Sequence, residues 1–314
     1  MSTEKRYIWS IAISWTAFLA LMLLAIQTGF AQSSEDAYRT ETFNVSGPVS
    51  LEVQTSGGSI SVEGSNNDEV RVEMFVRRRG NFVDPGEADL DEYEISFGQD
   101  GNTIKAIADR KSRGWNWNSN YSISFVVYAP TDTRTRLRTS GGSLTAKNLN
   151  GSQELRTSGG SITTEVIRGE MNLRTSGGSI TMNDIQGDVE AHTSGGTIRA
   201  ETIAGNLDAR TSGGSIRLNG IEGKLEARTS GGSIRAEVLA PSESIELRTS
   251  GGSITITVPQ EYGYDLDLDG NRVYADLVNF SGESERDEVQ GSMNGGGIII
   301  KAKTSGGSIR LEYL

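Results

Sequence analysis

The tetrapeptide Thr-Ser-Gly-Gly occurs nine times, with its threonine at 55, 139, 157, 175, 193, 211, 229, 249 and 304. From Thr139 to Thr229 the interval is 18 residues without a slip, and Thr249 follows after 20. "MNGGGI" at Met293–Ile298 reads as a degenerate tenth copy. A fixed short period is the mark of a solenoid, in which each coil buries its apolar face only against its neighbours.

One coil, "GDVEAHTSGGTIRAETIAG" from Gly187 to Gly205, shows which solenoid. Val189, Ala191 and Thr193 alternate with Glu190 and His192. After the glycine pair, Ile198 and Ala200 alternate with Arg199 and Glu201. Two strands of period two joined by glycine-containing turns follow, and no sustained 3.6-residue period exists to support a helix. Stacked at about 4.8 Å, with faces about 10 Å apart, such coils have a core one side chain thick per face. That thinness accounts for a hydrophobic share of only 35%. The spacing therefore predicts an all-β, two-sided parallel β-solenoid of 18-residue coils, right-handed as parallel crossovers are.

The interior columns can be followed through the repeats. Gln153, Met171, Val189, Leu207, Leu225 and Ile245 precede the threonine by four residues. Leu155, Leu173, Ala191, Ala209, Ala227 and Leu247 precede it by two, and Leu144, Ile162, Ile180, Ile198, Ile216, Ile234 and Ile254 follow by five. Gln153 is the poor fit. The threonine takes the inward phase, with its hydroxyl in reach of the next coil. The paired glycines Gly159/Gly160, Gly177/Gly178, Gly195/Gly196, Gly213/Gly214 and Gly231/Gly232 mark a sharp corner. Two causes are expected there: a positive φ, and corner stacked on corner with no room for a Cβ. A three-sided left-handed helix would need an aliphatic residue every six positions. A calcium-loaded roll would need G-G-x-G-x-D, where this chain has Ser-Ile-Arg or Ser-Ile-Thr after its glycines.

Organisation follows from composition shifts. Lys5 and Arg6 precede an apolar run from Tyr7 to Ile26, and Ala31 closes a small-residue site. Residues 1–31 read as a signal peptide, with an uncleaved anchor as the competing reading. Residues 32–38 are a linker. Residues 39–130 carry longer strands without the period and read as an antiparallel β cap, since an open terminal coil exposes unpaired backbone. Residues 131–258 are the regular repeats, and 259–314 hold an insertion and the final coils. The expected location is exported, in the periplasm or at the cell surface. The chain has no cysteine, so neither disulfides nor lipidation at a cysteine enter the argument. Removing residues 1–31 takes away one net positive charge and leaves −12, which argues against a nucleic-acid partner.

Two outward columns flank the threonine. Arg138, Arg156, Arg174, His192, Arg210, Arg228 and Arg248 precede it by one residue; Arg136, Glu154, Asn172, Glu190, Asp208, Glu226 and Glu246 precede it by three. A salt-bridge lattice is the plain reading, and a periodic face for an anionic polysaccharide the functional one. In "RGWNWNSNY", Trp115, Trp117 and Tyr121 stand among amides, a composition suited to stacking on sugars or to covering a solenoid end. "RRRG" at Arg77–Gly80 reads as a solvated strand end. "DLDLDGNRVYAD" from Asp265 follows a calcium loop only superficially, with Asp276 and Arg272 at the wrong places. The only histidine is His192, and nucleophile and zinc chemistries lack parts. No catalytic residue, metal or cofactor is expected. The threonines point inward beside arginines, which disfavours an ice-binding face.

"VVYAPTDTRTRLRTSGGSLTAKNLNG" (Val126–Gly151) resembles the hallmark of the bacterial "putative adhesin" family, a domain of unknown function built of β-strand repeats. "MNGGGIIIKAKTSGGSIRLEYL" resembles that family's C-terminal end. The resemblance covers about residues 39–314 and implies an envelope location with an adhesive or structural role. It carries over no catalytic residues. The function expected is non-enzymatic binding or support at the cell envelope, with polysaccharide or another envelope protein as partner. A polysaccharide-degrading β-helix is the alternative. Membrane contact is expected only through the N-terminal segment if it is uncleaved.

Overall fold

The structure, a computed structural model, describes residues 37–111 and 121–314. The signal-peptide assignment, residues 32–36 of the linker, Trp115 and Trp117 lie outside the described residues. The described chain from Tyr38 to Leu314 forms one compact unit. It contains 26 strands, numbered in chain order, and no helix.

Alternation along each coil dictates two ladders. The first carries β9 (Thr133–Thr139), β11 (Gln153–Arg156), β13 (Met171–Arg174), β15 (Val189–His192) and β17 (Leu207–Arg210). The second carries β10 (Leu144–Asn150), β12 (Ile162–Arg168), β14 (Ile180–Gln186) and β16 (Ile198–Ala204). Pairing is parallel, and each residue opposes the one 18 positions on: Leu155 faces Leu173, and Ile162 faces Ile180. β18 (Ile216–Arg228) and β19 (Ile234–Thr249) run through the corner and contribute to both ladders, so all strands belong to one continuous sheet. The 20-residue coil fits because register shifts around Ile221 and Gly223 absorb its two extra residues.

The core is the set of columns read from the sequence; Leu155, Leu173, Ala191, Ile162, Ile180 and Ile198 are all fully buried. Gln153 is accommodated by bonding. Its Oε1 accepts from Thr135 Oγ1 at 2.6 Å, and its Nε2 donates to the carbonyls of Thr133 and Gly151 at 3.0 Å. Thr164, fully buried between Ala146 and Met182, has no partner for its hydroxyl among the described residues.

The corner differs from expectation in its cause. None of Gly159, Gly160, Gly177, Gly178, Gly195, Gly196, Gly213, Gly214, Gly231 and Gly232 has a positive φ in the left-handed region. Steric exclusion is what remains, and it acts on the second glycine of each pair. A Cβ on Gly160 or Gly178 would overlap the carbonyl of Gly142 or Gly160, the second glycine of the coil before. On Gly159 or Gly177 it would meet its nearest atom at 3.3 or 3.4 Å. Positive φ sits at the opposite corner instead. There Asn148, Val166, Asp184 and Thr202 form a column at φ 53–58°, and Gly151, Gly169, Gly187, Gly205 and Gly223 another at 107–149°.

Both ends are permuted. The coil of β2 (Val49–Thr55) and β3 (Ile60–Ser65) lies between β9/β10 and a further coil of β7 (Thr103–Arg110) and β8 (Tyr121–Pro130), all parallel. At the other end, β25 (Ile298–Thr304) and β26 (Ser308–Tyr313) lie between the coil of β19 and β20 (Ile254–Val258) and that of β21 (Tyr264–Asp269) and β22 (Arg272–Ala275). The nine Thr-Ser-Gly-Gly corners are therefore consecutive in space, and coils without the motif close the stack. Antiparallel strands are fewer than a cap over residues 39–130 would have. They are β6 (Tyr93–Asp100) on β7, and β1 (Arg39–Asn44) and β5 (Asn81–Phe82) on β4 (Glu69–Arg78), which pairs with β8. At the C-terminal end β24 (Glu288–Met293) pairs with β21 and β23 (Phe280–Ser284). "MNGGGI" is not a tenth corner: Gly295, Gly296 and Gly297 have φ of 77–139° and turn the chain from β24 into β25.

Candidate functional site: two charged faces and a groove

Alternation sends every second side chain of a ladder outward, and parallel register turns each such position into a column. On the first ladder the two columns interlock. Glu154 binds Arg136, Arg138 and Arg156, each at 3.1 Å. Glu190 takes Arg174 at 3.3 Å and Asn172 at 2.9 Å. Arg210 bridges Asp208 at 2.7 Å and Glu226 at 2.9 Å, and Arg228 bridges Glu226 at 3.0 Å and Glu246 at 3.9 Å. Burial pushes the Glu154 carboxyl up, but the bonds from Arg138 and Arg136 and the charge of Arg156 outweigh it and hold it below the usual range. At Asp208 burial prevails over Arg210 and the carboxyl is pushed up. Arg248, by contrast, lines a separate polar hollow of about 850 Å³ with Arg286, Lys303, Asp269 and Asp287.

His192 takes an arginine's place in this column. Burial, aided by the cations Arg174 and Arg210, outweighs Asp208 and Glu190 and holds its pKa below the ordinary histidine value. Its Nε2 is 4.0 Å from Asp208 and has no hydrogen-bond partner among the described residues. The lattice is interrupted there.

Beside this lattice a groove of about 840 Å³ crosses the strands from β7 to β18. Its inner wall includes Met171, Val189 and Leu207, and its rim carries seven carboxylates against four cations. The carboxylates come one or two to a coil, and two of the four cations, Arg136 and Arg156, are already bound to Glu154.

The second ladder carries a different column, which the sequence reading missed. Thr145, Thr163, Thr181, Arg199, Arg217, Arg235 and Thr255 are in direct register, followed by Arg310 and Tyr274. The signal was present as Ser/Thr-Ile-Arg in three successive copies.

Of the other sequence candidates, Tyr121 opens β8, half-buried, with its carbonyl accepting from Tyr93 Oη at 2.8 Å and Arg78 over its ring at 5.6 Å. Arg77 and Arg78 end β4, paired with β5, and Arg79–Gly80 make the turn between them; Arg77 lies 4.3 Å over Phe82. Asp267 and Asp269 lie on a strand, bound to Lys301 and Lys303 at 3.0–3.7 Å, so no calcium loop forms.

This architecture defines a class: an all-β solenoid of parallel strands whose corners are fixed by threonine and glycine. Within it the chain belongs to the Toastrack DUF4097 family, whose model matches residues 49–312. None of the curated proteins matches it. Among solved structures it is similar to a "putative lipid binding protein" from Parabacteroides distasonis, at 16% identity and a TM-score of 0.45, covering 87% of this chain and 96% of that one. A "putative adhesin" from Bacteroides fragilis is 12% identical with a TM-score of 0.36, over 88% and 96%. A "putative cell adhesion protein" from Clostridium sporogenes is 11% identical with a TM-score of 0.23, over 88% and 99%.

Proposed function

We propose that this chain is an exported, non-enzymatic binding scaffold of adhesin-like kind at the bacterial cell envelope, with polysaccharide or another envelope protein as its partner. The coils wind right-handed in this reading. One observation carries it. The ionisable groups of the first ladder and its groove are dealt out coil by coil, those around Glu154, Glu190, Asp208 and Glu226 in ion pairs, rather than gathered at one point. A reaction centre needs converging groups with their pKa values pushed apart. A repeated polar face instead suits a partner that is itself extended and repeating. The Lys5-Arg6 segment with its apolar run supports export.

The test is retention of the full-length chain on purified bacterial envelope polysaccharides, with reducing ends assayed in the same mixtures. Binding without release of reducing ends is expected. Release of reducing ends would establish the polysaccharide-degrading alternative. The sugar-stacking role of Trp115 and Trp117 is tested in the same assay by Trp115→Ala and Trp117→Ala.

A further inference from the structure

Three arginines stand bare on an acidic molecule. Arg199, Arg217 and Arg235 occupy consecutive coils of the second ladder in direct register, each exposed. Among the described residues, none of them forms an ion pair or a side-chain hydrogen bond. Glu201 and Glu237 stand two residues along on the same face and are unpaired as well. The first ladder shows how the same chain balances an arginine column: it interleaves Glu154, Glu190, Asp208 and Glu226, and Arg138, Arg156, Arg174, Arg210 and Arg228 are each bound. On the second ladder the guanidiniums repel one strand spacing apart, and no ion pair among the described residues offsets that.

The row continues. Thr255 pairs with Arg235, Arg310 with Thr255, and Tyr274 with Arg310. The Arg310 guanidinium lies 4.7 Å from the centroid of the Tyr274 ring, and Arg272 donates to the Tyr274 hydroxyl at 3.2 Å. Tyr274 is 39% exposed and holds both cations in place. Threonine hydroxyls of Thr181, Thr163 and Thr145 extend the line the other way. The result is a strip one residue wide, cationic at its centre, with an aromatic ring and hydroxyls along it.

We propose that this strip docks a linear acidic polysaccharide, with carboxylates on the Arg199–Arg217–Arg235 ladder and sugar hydroxyls at Thr255, Arg310, Arg272 and Tyr274. The proposal rests on the binding-scaffold reading and names its ligand and surface. A single strand of anionic sugars presents carboxylates one after another, as the row presents its arginines, and planar guanidinium forks suit carboxylates. A lipid surface fits less well. Tyr274 is the row's only large apolar side chain, and the remaining acidic surface would be repelled by anionic headgroups.

The experiment measures binding of the full-length chain to polygalacturonate, to its fully methyl-esterified form and to anionic phospholipid vesicles, by calorimetry at low and high salt. Wild type should bind polygalacturonate, bind the ester at least about tenfold more weakly, and lose affinity as salt rises. The triple variant Arg199→Gln, Arg217→Gln, Arg235→Gln should lose about tenfold or more. A control triple of equal charge loss outside both arginine columns, Arg39→Gln, Lys105→Gln, Lys111→Gln, should bind as wild type does. Equal binding of acid and ester, equal loss in the two triples, or binding to vesicles alone would each overturn the proposal. Retention on neutral envelope glycans without polygalacturonate binding would overturn it while leaving the scaffold reading in place.

Discussion

The hydroxyl of Thr175 donates a 2.8 Å hydrogen bond to the carbonyl of Gly160, one coil back, and accepts one at 3.3 Å from the N–H of Gly178 in its own coil. The same pair of hydrogen bonds recurs from Thr139 to Thr304, with donor distances of 2.7–2.9 Å and acceptor distances of 3.2–3.4 Å. At the first corner of the row, Thr55 donates to the carbonyl of Ile123 in the adjoining β7–β8 coil, which has no glycine corner. Each threonine thus ties two corners together through groups the backbone ladder leaves open.

Removing that tie should be costly in a defined way. Thr175→Val keeps the shape but leaves the Gly160 carbonyl and the Gly178 N–H without their partner, at about 1–3 kcal/mol. Thr175→Ser keeps the hydroxyl and should recover most of the loss. Denaturant unfolding of the three proteins checks this; equal midpoints for the valine and serine variants would show that the hydroxyl is idle.

The glycine pair should respond asymmetrically. Gly177→Ala places its methyl 3.4 Å from the Gly159 carbonyl and should change stability by less than about 1 kcal/mol. Gly178→Ala drives a methyl into the Gly160 carbonyl and must push adjacent coils apart, a loss of several times that size. Melting temperatures of the two variants decide it. Similar values would remove steric exclusion as the reason for the second glycine.

How much of this was legible in the sequence depends on what fixes each feature. The 18-residue register, the Leu155–Leu173 and Ile162–Ile180 columns and the inward threonine all follow from alternation, which is local. The order of coils at the ends does not, because β2 and β25 carry the same repeat as their neighbours and nothing local says which coil they adjoin. Positive φ was assigned to the wrong corner for a similar reason. The Gly-Gly pair is conspicuous, whereas Val166 and Thr202, in the left-handed region, give no compositional signal. On the charged faces, the lattice around Glu154 could be read from spacing. The bare arginines on the second ladder are also legible, since Arg199, Arg217 and Arg235 each follow the buried isoleucine at the same place in the repeat.

Two substitutions should stabilise the fold. Val166 is β-branched at φ 53°, a conformation that costs such a residue about 1–2 kcal/mol. The equivalent position holds Asn148 in one coil and Gly220 in another, so Val166→Asn should raise stability by about 1 kcal/mol. Thr164 buries a hydroxyl without a partner, and Thr164→Val should gain a similar amount. The two sites are close, so the double variant measures their coupling as well as the sum. A fall in denaturant midpoint for either single variant would contradict its account.

The last prediction concerns acid. His192 has its pKa lowered in the fold, so the unfolded chain binds the proton more tightly. The associated stability is present above the ordinary histidine value near about 6.5 and is lost as pH falls through the folded value. Glu154 is also lowered, so its contribution is present above the ordinary glutamate value of about 4.3 and is lost as pH falls below it. Asp208 is raised and opposes both, since its neutral form costs the fold least. Melting temperature should therefore fall in two steps between pH 8 and pH 3. The chain has one histidine, so His192→Gln should flatten the upper step and leave the lower. Glu154→Gln should lower stability at pH 7, where three arginines lose their shared partner, and flatten the lower step. An upper step that survives in His192→Gln would place its origin outside the gap in the lattice.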